Sequence, residues 1–269
     1  SMVRLVSLAW WYALSVCSTL LVAGALVSGR VPIVLQEPVL VSGSDWGVFA
    51  IVFLVTTALL LWLGRHMGSV VRYGVLVALA VGIAAMASLV AHPFVAILIA
   101  LGAVVVMSRN PRTVTHNSIL AIAMGSISAS VGVWAHAPWV VIALCVFAVY
   151  DIISVYATRH MVTLAQALTV SGPPAALVIP ARFSDLLRSP HEALNRGALL
   201  LGSGDIGLPL LLVASTRQDS LQQAVWTGAG AIVGVLAMHI LFTLKSRGKP
   251  MAALPPIALG TIIGYLIGM

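Results

Sequence analysis

Long apolar runs, each broken by a short polar or basic connection, repeat from one end of the chain to the other. Nine stand out, at about 5 to 28, 46 to 63, 70 to 91, 93 to 107, 117 to 135, 138 to 157, 197 to 214, 222 to 244 and 255 to 269. About 18 to 20 apolar residues cross a hydrocarbon layer of about 30 Å as a helix. The pattern therefore predicts an all-α polytopic membrane protein with nine transmembrane helices. The fourth and last runs are short, which packing by neighbours or a thin bilayer accommodates. The first continues past residue 25 without a small-residue cleavage pattern and reads as a retained span, not a signal peptide.

Composition agrees with this picture. The 269 residues are 61% hydrophobic and only 8% charged, with a mean hydropathy of +1.10, against about 25% charged residues in an ordinary soluble domain. Membrane lipid is thus the main solvent, and no polar stretch is long enough for a separate soluble domain. The net charge of +7 does not indicate a nucleic-acid partner, because the basic residues are scattered between apolar runs and form no stripe for a phosphate backbone. Cys17 and Cys145 lie inside apolar runs and read as small buried hydrophobes.

The basic residues fix an orientation instead. With the amino terminus cytoplasmic, Arg4, Arg65, Arg72, Arg109, Arg112, Arg159, Arg182, Arg188, Arg196, Lys245, Arg247 and Lys249 fall inside, and only Arg30 and Arg217 fall outside. That asymmetry follows the positive-inside rule and supports an odd span count with the carboxyl terminus outside. Three portions result: residues 1–157, a long cytoplasmic connection at 158–196, and residues 197–269. The connection contains Ser171-Gly172-Pro173-Pro174, which argues against a continuous helix, followed by Ala175 to Pro180. That short apolar run is consistent with an extended strand at the membrane edge, or with an interfacial loop.

Of seven acidic residues, Glu37, Asp45 and Asp219 fall in outer connections and Asp185 and Glu192 in the long inner one. Asp151 and Asp205 alone sit within spans. A carboxylate in hydrocarbon is costly and marks a cavity or a functional interior. Asp151 precedes Arg159 by eight residues and Asp205 follows Arg196 by nine, so at about 1.5 Å per helical residue both lie at a similar depth. Gly202 and Gly204 allow close approach or a locally opened backbone near Asp205, and Pro209 frees the Asp205 carbonyl from a helical hydrogen bond. Two facing carboxylates sharing one proton can activate a water and protonate a carbonyl, as in aspartic proteolysis. An intramembrane pair can equally relay a proton or cation in a transporter. Neither chemistry requires an organic cofactor, and the histidines, His116 among them, show no metal-ligand spacing.

The contexts of the two aspartates separate these readings. Tyr150-Asp151 and Gly202-Ser203-Gly204-Asp205 resemble the YD and GxGD motifs of the presenilin and signal peptide peptidase family of intramembrane aspartyl proteases, and the chain is similar to archaeal homologues within it. Together with the nine-span layout and the late Leu254-Pro255, the resemblance covers essentially the whole chain. It implies catalytic roles for Asp151 and Asp205, with Tyr150, Gly202 and Gly204 in support. The family's third motif, Pro-Ala-Leu, corresponds to Ala252-Ala253-Leu254-Pro255, with alanine where the first proline belongs; Ala253, Leu254 and Pro255 are the implied active-site supports. The resemblance further implies transmembrane helical substrates that unwind before cleavage, no need for accessory subunits, and a presenilin-like cytoplasmic amino terminus. A strand carrying Ala175, Leu177 and Ile179 is a candidate for capturing the unwound substrate by strand addition.

Overall fold

The protein is described by a computed structural model over residues 2–29, 68–109, 111–156, 175–246 and 251–269. Eight long helices are present among them: α1 (Met2–Val27), α2 (Gly68–Ala87), α3 (Pro93–Ser108), α4 (Thr113–Gly132), α5 (Ala137–Tyr156), α6 (Ser203–Thr216), α7 (Leu221–Leu241) and α8 (Leu254–Gly268). They coincide with eight of the nine expected spans; the second, at about 46 to 63, lies outside the described residues, as do Pro173 and Pro174. Four segments, Met2–Val27, Thr113–Gly132, Ala137–Tyr156 and Leu221–Leu244, are long and apolar enough to cross a membrane by length and composition, and the other four apolar helices are shorter.

Many large apolar side chains point away from the bundle. On α3, Phe94, Ile97, Leu98 and Leu101 are exposed, while Ala96, Ala100 and Met107 form its narrow buried stripe. Such a surface suits hydrocarbon and would be unusual in water. Cys17 and Cys145, expected to be buried, are free thiols on the exposed side of their helices.

With no water to expel between helices, association relies on close packing of small residues and on buried hydrogen bonds. On α1, Ser18 Oγ donates to the Ile122 carbonyl at 2.9 Å and Thr19 Oγ1 to the Gly125 carbonyl at 3.1 Å, tying α1 to α4. Helices α7 and α8 come into backbone contact through Gly230 and Gly234 facing Gly260 and Gly264. A Cβ on Gly260 would lie 2.7 Å from the Gly234 Cα, and one on Gly234 would lie 2.8 Å from the Ile257 Cα.

The connection before α6 holds the only departure from helical architecture among the described residues. Strand β1 (Ala176–Ile179) pairs antiparallel with β2 (Leu199–Gly202), in the register Ala176 with Gly202 through Ile179 with Leu199. The extended run after the prolines is thus a strand. Leu177, Ile179 and Leu201 enter the same core as Tyr12 and Ile206. Between the strands, Asp185 is 1% exposed and is flanked by Arg188 at 3.6 Å and Arg196 at 3.9 Å. A buried carboxylate facing two guanidinium groups is a paired structural element.

One sequence expectation needs correction. The run at about 197 to 214 is not helical throughout: Gly197 takes a φ of 84°, residues Leu199–Gly202 form β2, and α6 starts only at Ser203. Asp205 therefore stands in the first turn of its helix, and a depth counted at helical rise from Arg196 does not apply to it.

Candidate active site

Asp151 lies on α5, near its carboxyl end, and Asp205 on the first turn of α6, and α5 and α6 pack together. Both residues are half-buried, and the two carboxylates are close enough for one to act electrostatically on the other.

Each carboxylate is steadied by main-chain donors. The Leu254 N–H donates to Asp151 Oδ2 at 3.1 Å, and the Ala253 amide also turns to that carboxylate. The sequence explains why Leu254 is the donor. A helix leaves its first N–H groups without partners inside the helix. Helix α8 opens on Leu254, Pro255 and Pro256, and proline has no N–H. Leu254 thus supplies the one amide donor of the first three positions, aimed at Asp151. This contact also accounts for Ala252. It uses the amides of residues 253 and 254, which are the same whether alanine or proline stands at 252. Ala252 itself is buried, 5% exposed.

Asp205 reaches back across the start of α6. Gly202 is the N-cap, and its amide donates to the Asp205 carboxylate, the reciprocal half of a capping box. A Cβ on Gly202 would stand 3.2 Å from Asp205 Oδ2, so glycine leaves the carboxylate room to fold back. Gly204 lies in the first turn of α6. A Cβ there would meet nothing within 4 Å among the described residues, so none of the described helices packs closely against it. Pro209 lies inside α6 and withholds the N–H that would otherwise bind the Asp205 carbonyl. Helix α4 braces the next turn, where Ser128 Oγ donates to the Gly207 carbonyl at 3.1 Å.

Tyr150 is 37% exposed and, as the residue before Asp151, points about 100° away around α5. Ala175 accepts a hydrogen bond from the Ser203 N–H at 3.2 Å, and Leu177 and Ile179 are 0% and 2% exposed. These three residues are occupied within the protein. The exposed strand residue is Leu200 of β2, at 38%.

Residues not singled out by sequence also converge here. Tyr12 of α1 is 0% exposed, lies near enough to Asp205 to sense its charge, and has a hydroxyl without a hydrogen-bond partner among the described residues. Asn117 and His116 of α4 bind β1. An asparagine inside an apolar span was a readable signal, since an amide in hydrocarbon needs partners.

Two carboxylates on adjoining helices of an apolar bundle, each held by main-chain amides, define a polytopic membrane protein with an intramembrane aspartate pair. The family profile described as "Signal-peptide peptidase, presenilin aspartyl protease" matches residues 11–269, and the chain belongs to that family of intramembrane aspartyl proteases. Comparison with curated proteins gave no match. Among solved structures, a presenilin family intramembrane aspartate protease in space group C222 superposes with a TM-score of 0.63 at 21% identity, covering 98% of this chain and 96% of that one. The same description in space group P2 also gives 0.63 at 21% identity, covering 96% and 95%. The fold is accordingly presenilin-like.

Proposed function

We propose that the protein is an endopeptidase that hydrolyses peptide bonds within transmembrane helices, with Asp151 and Asp205 as its catalytic pair. The observation that carries this reading is the approach of the two carboxylates from α5 and α6, with Asp151 fixed by the Leu254 amide. In the reacting state the pair holds one proton. The ionised carboxylate takes a proton from a water as its oxygen attacks the scissile carbonyl. The protonated one donates to the carbonyl oxygen, and the proton gained by the first then passes to the leaving amine. No covalent intermediate is needed.

A helical substrate hides its peptide groups in internal hydrogen bonds and must be extended before attack. The outer edge of β2 suits an extended segment. Both main-chain groups of Val178 are bonded by Asn117, so the Val178–Leu200 pair is of the non-hydrogen-bonded kind. Leu200 therefore turns its N–H and C=O away from β1. Substrate capture is accordingly assigned to β2 in place of Ala175, Leu177 and Ile179, and it brings the substrate alongside Asp205. The distribution of basic residues supports a cytoplasmic amino terminus and an external carboxyl terminus in the cell membrane, and the chain is proposed to act without accessory subunits.

The test uses purified protein in detergent or proteoliposomes with a single-span peptide substrate. Asp151→Asn and Asp205→Asn should each lower cleavage by about 10²- to 10⁴-fold, the range of general acid–base catalysis, with thermal stability retained. Wild-type cleavage by either folded variant would overturn the assignment. Loss of cation-coupled uptake, with no cleavage by the parent protein, would establish transport in its place.

A further inference from the structure

The inner edge of β1 is closed by side chains of a helix. Asn117 Nδ2 donates to the Val178 carbonyl at 2.8 Å, and the Val178 N–H donates to Asn117 Oδ1 at 3.0 Å. One residue earlier on α4, His116 Nε2 lies 3.0 Å from the Ala176 carbonyl; because a carbonyl can only accept, Nε2 carries the hydrogen. Ala176 and Val178 are alternate residues, so their main-chain groups face the same edge. A primary amide offers one donor and one acceptor in the manner of a peptide unit. Asn117 thus occupies the place of a residue on a third strand, and His116 takes the next site along. Both are 0% exposed.

A two-stranded sheet has two edges at which a third strand can add. Here one edge is filled by α4, and the other is the outer edge of β2. Towards its end that outer edge carries the Gly202 amide, which is directed to the Asp205 carboxylate. We infer that Asn117, with His116, is a positioning residue for proteolysis: it closes the inner edge of the sheet and fixes the register in which β2 presents a captured substrate strand to Asp205. This rests on the proposed strand addition. Neither residue touches the reacting atoms. Their effect runs through Val178 to Leu200 and from Gly202 to the carboxylate. A sheet freed from α4 can tilt or slip relative to Asp205, and a slip of one residue moves the scissile bond by about 3.3 Å.

The experiment measures KM, kcat and, by mass spectrometry of the products, the position of cleavage in a single-span substrate. Asn117→Leu keeps the number and branching of the side-chain heavy atoms and removes both bonds to Val178. It should raise KM roughly tenfold, as expected for the loss of one or two buried hydrogen bonds. It should also spread a single cut over neighbouring peptide bonds and speed amide hydrogen exchange in residues 176–179. Loss of stability alone would lower the amount of active enzyme without moving the cut. His116→Phe, which removes only the bond at the other end of β1, should give a smaller change of the same sign, and it carries the test if Asn117→Leu does not fold. Leu200→Pro separates this inference from the reading beneath it. It deletes an outward N–H of β2 that the β1–β2 pairing does not use, and proline is accommodated on a strand edge. A rise in KM for Leu200→Pro, with unchanged KM and cut position in Asn117→Leu and His116→Phe, would refute the positioning role alone. An unchanged KM in Leu200→Pro would refute strand addition itself.

Discussion

Replacing Gly202 with alanine should lower activity while leaving stability nearly unchanged. The backbone there has φ −61° and ψ 147°, a conformation open to any residue, so alanine brings no backbone strain. By restricting the unfolded chain it would stabilise by about 0.4 to 1 kcal/mol, but alanine is a poorer N-cap than glycine by a similar amount, so Tm should hardly move. The new Cβ, however, would lie 3.2 Å from Asp205 Oδ2. Comfortable carbon contacts begin at about 3.5 Å, so the carboxylate must retreat by a few tenths of an ångström, at least about 0.3 Å. Misplacement by 1 Å can cost about 10²-fold in rate. A third to a half of that displacement translates to a loss of about 5- to 10-fold in kcat. The assay is single-span substrate cleavage under saturating conditions, read beside Tm on the same preparation. Refutation has two forms. Unchanged kcat would mean that Asp205 does not depend on its folded-back geometry, and a fall in Tm in step with activity would mean that Gly202 serves the fold instead.

The remaining expectations concern other parts of the bundle. Gly204→Ala adds a Cβ that meets nothing within 4 Å among the described residues; Tm and kcat should hold while KM rises, because the position adjoins the proposed substrate edge, and an unchanged KM would place the substrate elsewhere. Gly260→Ala, whose Cβ would come within 2.7 Å of the Gly234 Cα, should cost about 1 to 3 kcal/mol through overpacking, measurable as a lower Tm. It should also slow cleavage, because a helix displaced by about 1 Å stretches the 3.1 Å Leu254–Asp151 contact beyond hydrogen-bonding range. Tyr12→Phe removes a fully buried hydroxyl without a partner among the described residues and should leave Tm unchanged or raise it by relieving an unsatisfied group worth about 1 to 3 kcal/mol; a clear drop in Tm would show that the hydroxyl is satisfied in the folded protein.

The helices and the aspartates were legible in sequence for the same reason. Hydrocarbon tolerates long apolar helices and penalises charge, so span length and the isolation of Asp151 and Asp205 stand out without an alignment. Strand β2 was hidden because Leu199, Leu200 and Leu201 form an apolar run too short for its period to distinguish strand from helix, and it joins directly onto an apolar helix. Its partner strand begins at Ala176, well before it in the chain, and long-range pairing leaves no local mark. The clamp from Asn117 to Val178 spans 61 positions; its donor was visible as an amide in an apolar run, but its acceptor was an anonymous backbone. The third motif was legible as residue types only. Its amide contact with Asp151 depends on prolines removing the neighbouring donors, which becomes evident once α8 is known to begin at Leu254.

The outer edge of β2, unpaired among the described residues, has a thermodynamic consequence. Exposed strand edges do not survive against hydrocarbon, where an unsatisfied peptide group costs several kcal/mol. Leu200 must therefore be hydrated whenever no substrate strand covers it. Under the proposed mechanism the edge and the hydrolysis then draw on one pool of water, and binding itself displaces part of it. Substrates that pair fully with the edge but leave the space beside Asp205 wet are the ones that can be cut; a segment that seals both acts as an inhibitor.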